Sequence, residues 1–266
     1  MVVVDVGCRW GFAEPFLGRS RPFHVVGFDP DAEECERLRE RYRDFPVELV
    51  PLALAGKLGP RTLYRTLNPA CSSLLQPDPV LTANYPALEC AREVGTETVE
   101  TTTLDAWARS RDLPPIRYLK LDTQGTELEI LEGGAGCLRS VRCVEVEVEF
   151  NPIYLGQPLF SDVDHFLRGE GFVLWKLTNH VHYSRYGEPD PSRQDSVFYD
   201  ERQRVDHATF TGQLYWANAH YVRKEMLEAT QGLESQRRQD ALLLDAIGLR
   251  EVAAGLSRRD ESAPLS

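Results

Sequence analysis

Val2-Val3-Val4-Asp5-Val6-Gly7-Cys8-Arg9-Trp10-Gly11 opens the chain, an apolar run that passes straight into a glycine turn. A second apolar run, Val25-Val26-Gly27-Phe28-Asp29, follows and ends on an acid. Each reads as a buried strand. An open parallel sheet binds ligands just beyond the carboxyl ends of its strands. The turn after the first strand admits the ligand backbone, and the acid after the second accepts hydrogen bonds from ribose hydroxyls. The pairing therefore predicts an adenosine-containing cofactor.

Which cofactor depends on what is missing. A dinucleotide fingerprint needs G-x-G-x-x-G, whose second glycine lets the backbone close on a pyrophosphate. Arg9 stands at that position, so the pattern is only Gly7-x-x-x-Gly11. A side chain of that size crowds a diphosphate. S-adenosylmethionine carries no phosphate and presents a carboxylate and an amine instead. Arg9 either pairs with that carboxylate or points to solvent, and Asp5 is a candidate to hold the amine or the turn itself.

Composition narrows the class. At 266 residues the chain can bury a sizeable core as one domain with an appendage. A net charge of -11 argues against general affinity for nucleic acid or for anionic lipid. No apolar run approaches the roughly 20 residues that span a bilayer. The N-terminus lacks the basic and apolar regions of a signal peptide. The six cysteines form no C-x-x-C pair and lie scattered through apparent core elements, which suits reduced thiols and a cytoplasmic location without structural zinc. Cys8 reads as a small residue filling a tight corner rather than as a reactive thiol.

Further along, residues 31–43 carry Cys35, Leu38 and Tyr42 at helical spacing, with Asp31 where an N-cap belongs. Residues 47–54 read as a third strand, 62–66 and 98–102 as short strands, and 68–74 as a loop over the site. Residues 76–91 predict irregular structure with short helical turns, and Thr103 a cap for a helix from Leu104. Residues 116–122 form a strand ending on Asp122, followed by a glycine turn and a helix over 127–138. A strand over 141–150, a helix over 161–168 capped by Ser161 with Asp164 at the capping-box position, and a strand over 172–177 come next. Residues 179–211 read as an inserted loop or lid holding a short strand at 196–199, and residues 213–222 as the last strand. Leu242, Ala246, Leu249, Ala253 and Leu256 step by four and three, a stripe for a helix that docks on its own domain or forms a dimer seam. The tail after Ser257 reads as disordered.

Strand-helix alternation predicts an α/β fold with a mostly parallel, doubly wound sheet, and residues 172–222 an antiparallel pair at one edge. Asp122 falls at the ligand-binding rim of that sheet, where it can also cap the next helix. Glu127 has the same two readings. Glu145, Glu147 and Glu149 alternate with valines, and three acids on one side of a covered sheet are costly to bury unpaired. Glu145 is expected to face solvent or be paired, and Glu149 to be a rim charge or an active-site acid that takes a proton from an attacking hydroxyl. His180-x-His182 lacks a third ligand, so no metal is expected.

Together these segments resemble the FkbM family of S-adenosylmethionine-dependent methyltransferases. The carrying residues are Asp5 to Gly11, Val26-Gly27-Phe28-Asp29-Pro30, Thr102-Thr103-Leu104-Asp105 and, most specific, Leu119-Lys120-Leu121-Asp122-Thr123-Gln124-Gly125-Thr126-Glu127-Leu128-Glu129. Similarity continues through Glu147-Val148-Glu149-Phe150, Tyr154, Gln157-Pro158-Leu159-Phe160 and Gln213-Leu214-Tyr215-Trp216, covering roughly residues 1–225. The resemblance implies a seven-stranded class I methyltransferase fold and methyl transfer to a hydroxyl of a sugar, glycan or secondary metabolite; the apolar stripe beyond it reads as a C-terminal helical extension over 226–256. The resemblance places Asp5, Gly7 and Gly11 around the methionyl end, Asp29 at the ribose, Leu52 and Ala53 beside the adenine, and Asp122 near the reacting centre, with Asp122 and Glu149 as the leading acids. The chain departs from the family in opening on its first strand, where relatives usually carry preceding residues that cover the cofactor; a minimal copy or a truncated start accounts for this. Two rivals remain at this point: a nucleotide-cofactor oxidoreductase, disfavoured by Arg9, and a methyltransferase-like module that binds without turnover.

Overall fold

The two opening apolar runs become β1 (Val2–Val6) and β2 (His24–Phe28), which lie parallel with Val4 opposite Val26. Val2, Val4 and Val6 enter one hydrophobic cluster and Val3 the other, so β1 is buried on both faces and needs no polar alternation. This computed structural model describes residues 1–18, 22–111, 113–183, 213–228 and 234–261, with side chains to residue 256.

The remaining strands are β3 (Val47–Val50), β4 (Ala53–Leu54), β5 (Gly59–Thr66), β6 (Glu93–Thr102), β7 (Ile116–Leu121), β8 (Cys143–Glu149), β9 (Phe172–Tyr183) and β10 (Gln213–Arg223). Seven of them form one sheet in the order β3-β2-β1-β7-β8-β10-β9. Every neighbouring pair is parallel except those that β10 makes with β8 and β9. The expected edge pair is present, with the later strand inserted inside the earlier one. Strand order reverses between β1 and β7, which opens a crevice beyond their carboxyl ends.

The helices are α1 (Ala32–Arg41), α2 (Pro79–Asn84), α3 (Leu104–Arg109), α4 (Glu127–Gly133), α5 (Ala135–Leu138), α6 (Phe160–Gly169), α7 (Lys224–Glu228), α8 (Glu234–Ala246) and α9 (Arg250–Glu261). Asp31 caps α1 by accepting from the amides of Glu33 and Glu34, and Thr103 caps α3 by accepting from Ala106. One sheet face is covered by α3 to α6, through Trp107, Ile130, Leu131, Val163 and Leu167. The other is covered by α1, α8 and α9, through Leu38, Leu243, Leu249 and Leu256. The C-terminal apolar stripe thus docks on its own sheet, broken into two helices around Gly248, whose φ is +76°.

Several expectations shift. The third strand stops at Val50, and Ala53–Leu54 instead pairs with β6 in a second, three-stranded sheet of order β4-β6-β5. Pro51 cannot donate to a ladder, which separates the two. The helix expected from Ser161 starts at Phe160, and it is Asp162 that accepts from the Leu159 amide at 2.9 Å. β9 runs on to Tyr183, into the stretch expected as a lid. The rest of that stretch, with the strand expected at 196–199, lies outside the described residues. α9 continues past residue 257 to Glu261, and the last five positions are also outside. Among the described residues no helix is long and apolar enough to cross a membrane.

Candidate active site

A cavity of about 400 Å³ opens where strand order reverses. Its first wall is the turn after β1. Gly7 has φ +81°, and a Cβ there would stand 1.9 Å from the carbonyl oxygen of Asp122. The amides of Gly7 and Cys8 both donate to the carbonyl of Phe28, and the amide of Asp122 donates to that of Val6. Three strand ends are therefore drawn together at a residue with no side chain, which leaves backbone exposed to the cavity. Cys8 is buried beneath, and a Cβ at Gly27 would stand 2.7 Å from its Sγ, so it does fill a tight corner.

Asp29, at the end of β2, lines the cavity yet is only 5% exposed. Its Oδ1 accepts from the Asp31 amide at 2.9 Å. Burial pushes its carboxyl up to about 6, against the Asp31 amide and the Arg9 guanidinium, which favour the ionised form. Arg9 lines the cavity and is partly exposed, but its head group is tied to acids: its Nη2 donates to Asp31 at 3.0 Å and its Nη1 lies 4.0 Å from Asp29. Leu52 and Ala53, at the passage from β3 into β4, complete this side.

The other half holds the acids. Glu147 and Glu149 of β8 line the cavity with Asp122. Gln124 ties them together: its Nε2 donates to Asp122 at 3.0 Å and to Glu147 at 2.7 Å, and its Oε1 accepts from the Tyr154 hydroxyl at 3.1 Å. Burial, then the charges of Asp122, Glu149 and Glu127, hold Glu147 well above the carboxylate range. Burial, then Glu127 and Asp122, does the same to Glu149. Glu127 points back into its own turn, accepting from the amides of Thr123 and Gly125 and from the Thr123 hydroxyl. Burial nevertheless pushes it up to about 7.

Two expected residues stand away from the cavity. Asp5 is not in its wall; it bonds Lys120 Nζ at 3.2 Å beneath the rim. Lys120 in turn lies 3.7 Å from Asp122. Burial opposes the Lys120 charge, but Asp5, Asp122 and Glu145 outweigh it and hold the ammonium protonated. Gly11 shapes the turn rather than the cavity: its φ is +96°, and a Cβ there would meet the hydroxyl of Tyr42, the residue just after α1. The alternating glutamates are explained by register. Asp5, Lys120, Glu145 and His220 stand opposite one another across β1, β7, β8 and β10. Glu145 is paired, accepting from Tyr118 at 2.5 Å and Asn218 at 3.1 Å. Glu147 and Glu149 lie further along the same face, where it becomes the cavity. His180 and His182 sit on β9, and no cluster of three metal-ligating side chains exists among the described residues.

Residues 10–174 match the Methyltransferase FkbM domain. The chain belongs to the FkbM methyltransferase family. Membership removes the oxidoreductase reading. Among relatives of known name, a 2-O-methyltransferase, NoeI, of Sinorhizobium fredii is 29% identical over 198 residues, spanning 66% of this chain and 79% of that protein. A hexuronic acid methyltransferase, AglP, of Haloferax volcanii is 25% identical over 188 residues, spanning 67% and 71%. A crystal structure of the FkbM methyltransferase from Methylobacillus flagellatus aligns with a TM-score of 0.41 at 11% identity, over 83% of this chain and 42% of that one.

Sequence reasoning did not single out Gln124, Glu147 and Tyr154, which line this cavity, nor Lys120 beneath it, as candidate site residues. The signal for Glu147 was present in the alternation of β8, but its meaning depends on which strand lies beside it. Gln124 has φ +62°, a strain that no residue pattern announces.

Proposed function

We propose that this protein transfers a methyl group from S-adenosylmethionine to a hydroxyl of a sugar or sugar-like acceptor, on a class I methyltransferase sheet. The sheet order, with β10 alone reversed, supports the class. The observation that carries the cofactor reading is the convergence of the Gly7 turn, the buried Asp29 and Asp122 on one crevice.

The wall chemistry fits a cation better than a diphosphate. Charged residues in the wall are Arg9 and Arg65 against Asp29, Asp31, Glu97 and Asp122, with Glu147 and Glu149 beside them held protonated by burial. Both arginines are already engaged, Arg9 with Asp31 and Arg65 with Glu97. A diphosphate would add like charge to that surplus, whereas a sulfonium offsets it. Asp29 would take the ribose hydroxyls, Leu52 and Ala53 would flank the adenine, and Gly7 would leave room for the methionyl chain, with Arg9 closing the wall beside the ribose acid. When bound, the cofactor supplies a methyl group already activated by its sulfonium. The protein's part is to align the acceptor oxygen, exclude water and receive one proton. Glu149, with Asp122 and Glu147 beside it, would receive it in the ionised form that a neighbouring sulfonium favours, a buried carboxylate of raised pKa then being a stronger base than an exposed one.

The relatives named for 2-O- and hexuronic acid methylation support the acceptor class. Calorimetric titration with adenosylhomocysteine, followed by tritiated methyl transfer to a panel of glycosides, tests the reading. Binding and transfer are expected. No binding defeats it, and binding without transfer to any hydroxyl acceptor favours a module that binds without turnover.

A further inference from the structure

The cavity is larger than its cofactor half requires. Asp29 ends β2, and β10 lies four strands away across β1, β7 and β8, roughly 19 Å at ~4.8 Å per strand. At that far end the wall consists of Trp216 and Asn218 from β10 and Asn179 and Tyr183 from β9. Antiparallel register sets Trp216 opposite Glu149 and Asn218 opposite Glu147, so this wall directly adjoins the acids.

Backbone geometry singles out the same place. Among the described residues only Gln124 (φ 62°) and Asn179 (φ 55°) are non-glycine with positive φ, and both line the cavity. Trp216 pairs with Val181 and Asn218 with Thr178, so two steps on β10 match three on β9. That extra residue is a bulge around Asn179, a device that re-aims a side chain at sheet ends. A left-handed backbone at a non-glycine residue costs on the order of 1 kcal/mol and persists where surrounding structure holds it.

We propose that Trp216, Tyr183, Asn179 and Asn218 form the acceptor subsite, and that it takes an uncharged sugar ring in preference to a uronate. The proposal rests on the methyl-transfer reading above. Trp216 Nε1 donates to the Tyr183 hydroxyl at 3.0 Å, which fixes two aromatic rings beside each other. A pyranose presents a face of C–H groups that lies flat on such a surface, with its hydroxyls directed outward. The two asparagines supply both donors and acceptors to meet those hydroxyls. Asn218 is held in place by donating to Glu145 at 3.1 Å. A uronate would bring a further carboxyl to Asp122, Glu147 and Glu149, whose burial and crowding already keep protons on Glu147 and Glu149, so it too would have to take up a proton to settle there. Each arginine of the wall already has a carboxylate partner, Asp31 for Arg9 and Glu97 for Arg65, which a uronate would have to displace. A neutral ring requires neither.

The test compares methyl α-D-glucopyranoside and methyl α-L-rhamnopyranoside with methyl glucuronide as acceptors of tritiated methyl, in the whole protein and in three variants. Wild type is expected to favour a neutral glycoside at least tenfold in kcat/KM. Trp216→Ala should raise the acceptor KM tenfold or more, and Trp216→Phe should keep most of the affinity. Asn179→Gly suits the left-handed backbone and removes the amide, so it should raise KM several-fold with no loss of melting temperature. In all three, the affinity for adenosylhomocysteine should stay within twofold of wild type, which also reports folding. Preference for the glucuronide, no transfer to either class despite adenosylhomocysteine binding, or variants that weaken adenosylhomocysteine as much as acceptor would each overturn the subsite while leaving the cofactor reading intact. Failure of wild type to bind adenosylhomocysteine overturns both.

Discussion

Gly7 is pressed against the main chain of Asp122, so closely that any β-carbon at position 7 would overlap the carbonyl oxygen at 1.9 Å. The contact joins the turn after β1 to the end of β7, the two strands between which the sheet order reverses. It sets the width of the crevice. Gly7→Ala must therefore both leave a φ of +81° and push two strand ends apart. The left-handed conformation alone costs about 1–2 kcal/mol, and the melting temperature should fall by roughly 2–8 °C. Calorimetric affinity for adenosylhomocysteine should drop at least tenfold. An alanine variant binding as tightly as wild type would show that the turn is not part of the cofactor site.

Asp29 gives that binding a pH dependence. Its carboxyl sits near 6 because burial disfavours the ionised form. Hydroxyl donors bond the ionised form more strongly. Affinity for adenosylhomocysteine should thus be highest above pH 7 and decline as pH falls through about 6. Asp29→Asn should bind about 10- to 100-fold more weakly at pH 8, a loss of ~1.5–3 kcal/mol for a hydrogen bond to a charged group. Its affinity should vary much less between pH 5 and 8. A wild-type profile without that decline would remove Asp29 from the ribose position.

The buried acids in and around the cavity affect stability in the opposite sense to a salt-bridged carboxylate. Asp29 and Glu127 titrate near 6 and 7 in the folded chain, against 3.8 and 4.5 ordinarily. Glu147 and Glu149 are raised as well. Between the ordinary and the raised values the folded state holds protons that the unfolded chain has released, so stability falls as pH rises through that window. Glu147→Gln removes one such group and keeps an oxygen to accept from Gln124. It should melt a few degrees higher than wild type at pH 7.5, since ~1 kcal/mol moves the midpoint by about 2–4 °C in a chain of this size. Near pH 4.5 the difference should vanish, while methyl transfer at neutral pH should be reduced at least tenfold.

The same cluster distinguishes the two forms of the cofactor. A positive charge beside raised-pKa acids favours their ionised forms and expels protons. S-adenosylmethionine carries that charge and adenosylhomocysteine does not. Titrations at pH 7 in buffers of different ionisation enthalpy should therefore show more protons released by the sulfonium than by its demethylated product. Equal release would place the acids out of electrostatic reach of the methyl donor.

What the residue pattern disclosed, and what it hid, divides along contact range. β1, β2, β7 and the caps at Asp31 and Thr103 were legible because an apolar run, a glycine and a capping side chain are local signals. The three-stranded sheet was not: Glu93–Thr102 is largely exposed, and its place depends on pairing Thr62 with Thr98 and Ala53 with Thr101. At the site, Asp29 and Asp122 announced themselves by ending strands. Glu149 was visible only as one of three alternating acids. Separating Glu145, which is paired on the sheet, from Glu147 and Glu149, which reach the cavity, needs the register with β10. From the residues Arg9 either meets a carboxylate of the cofactor or points to solvent, because Asp31 is legible only as a helix cap; in the structure Asp31 caps α1 and also accepts from Arg9.

The C-terminal helices hang on one buried ion pair that no local pattern marks. Arg142, just before β8, donates from Nη2 to Asp240 Oδ2 at 2.9 Å and from Nε to both carboxylate oxygens at 3.2 Å. Arg142 is 8% exposed and Asp240 5%. The pair binds α8, which carries the buried Leu243 and Leu244, to the sheet at the start of β8. Removing one partner strands the other charge in the interior, a loss of ~3–5 kcal/mol, so Asp240→Ala should lower the melting temperature by roughly 6–20 °C. Replacing both, as Arg142→Met with Asp240→Leu, leaves no orphaned charge and should recover most of that loss. If Asp240→Ala melts within a degree of wild type, α8 and α9 do not dock on this sheet face in solution, and their apolar stripe is left for another surface.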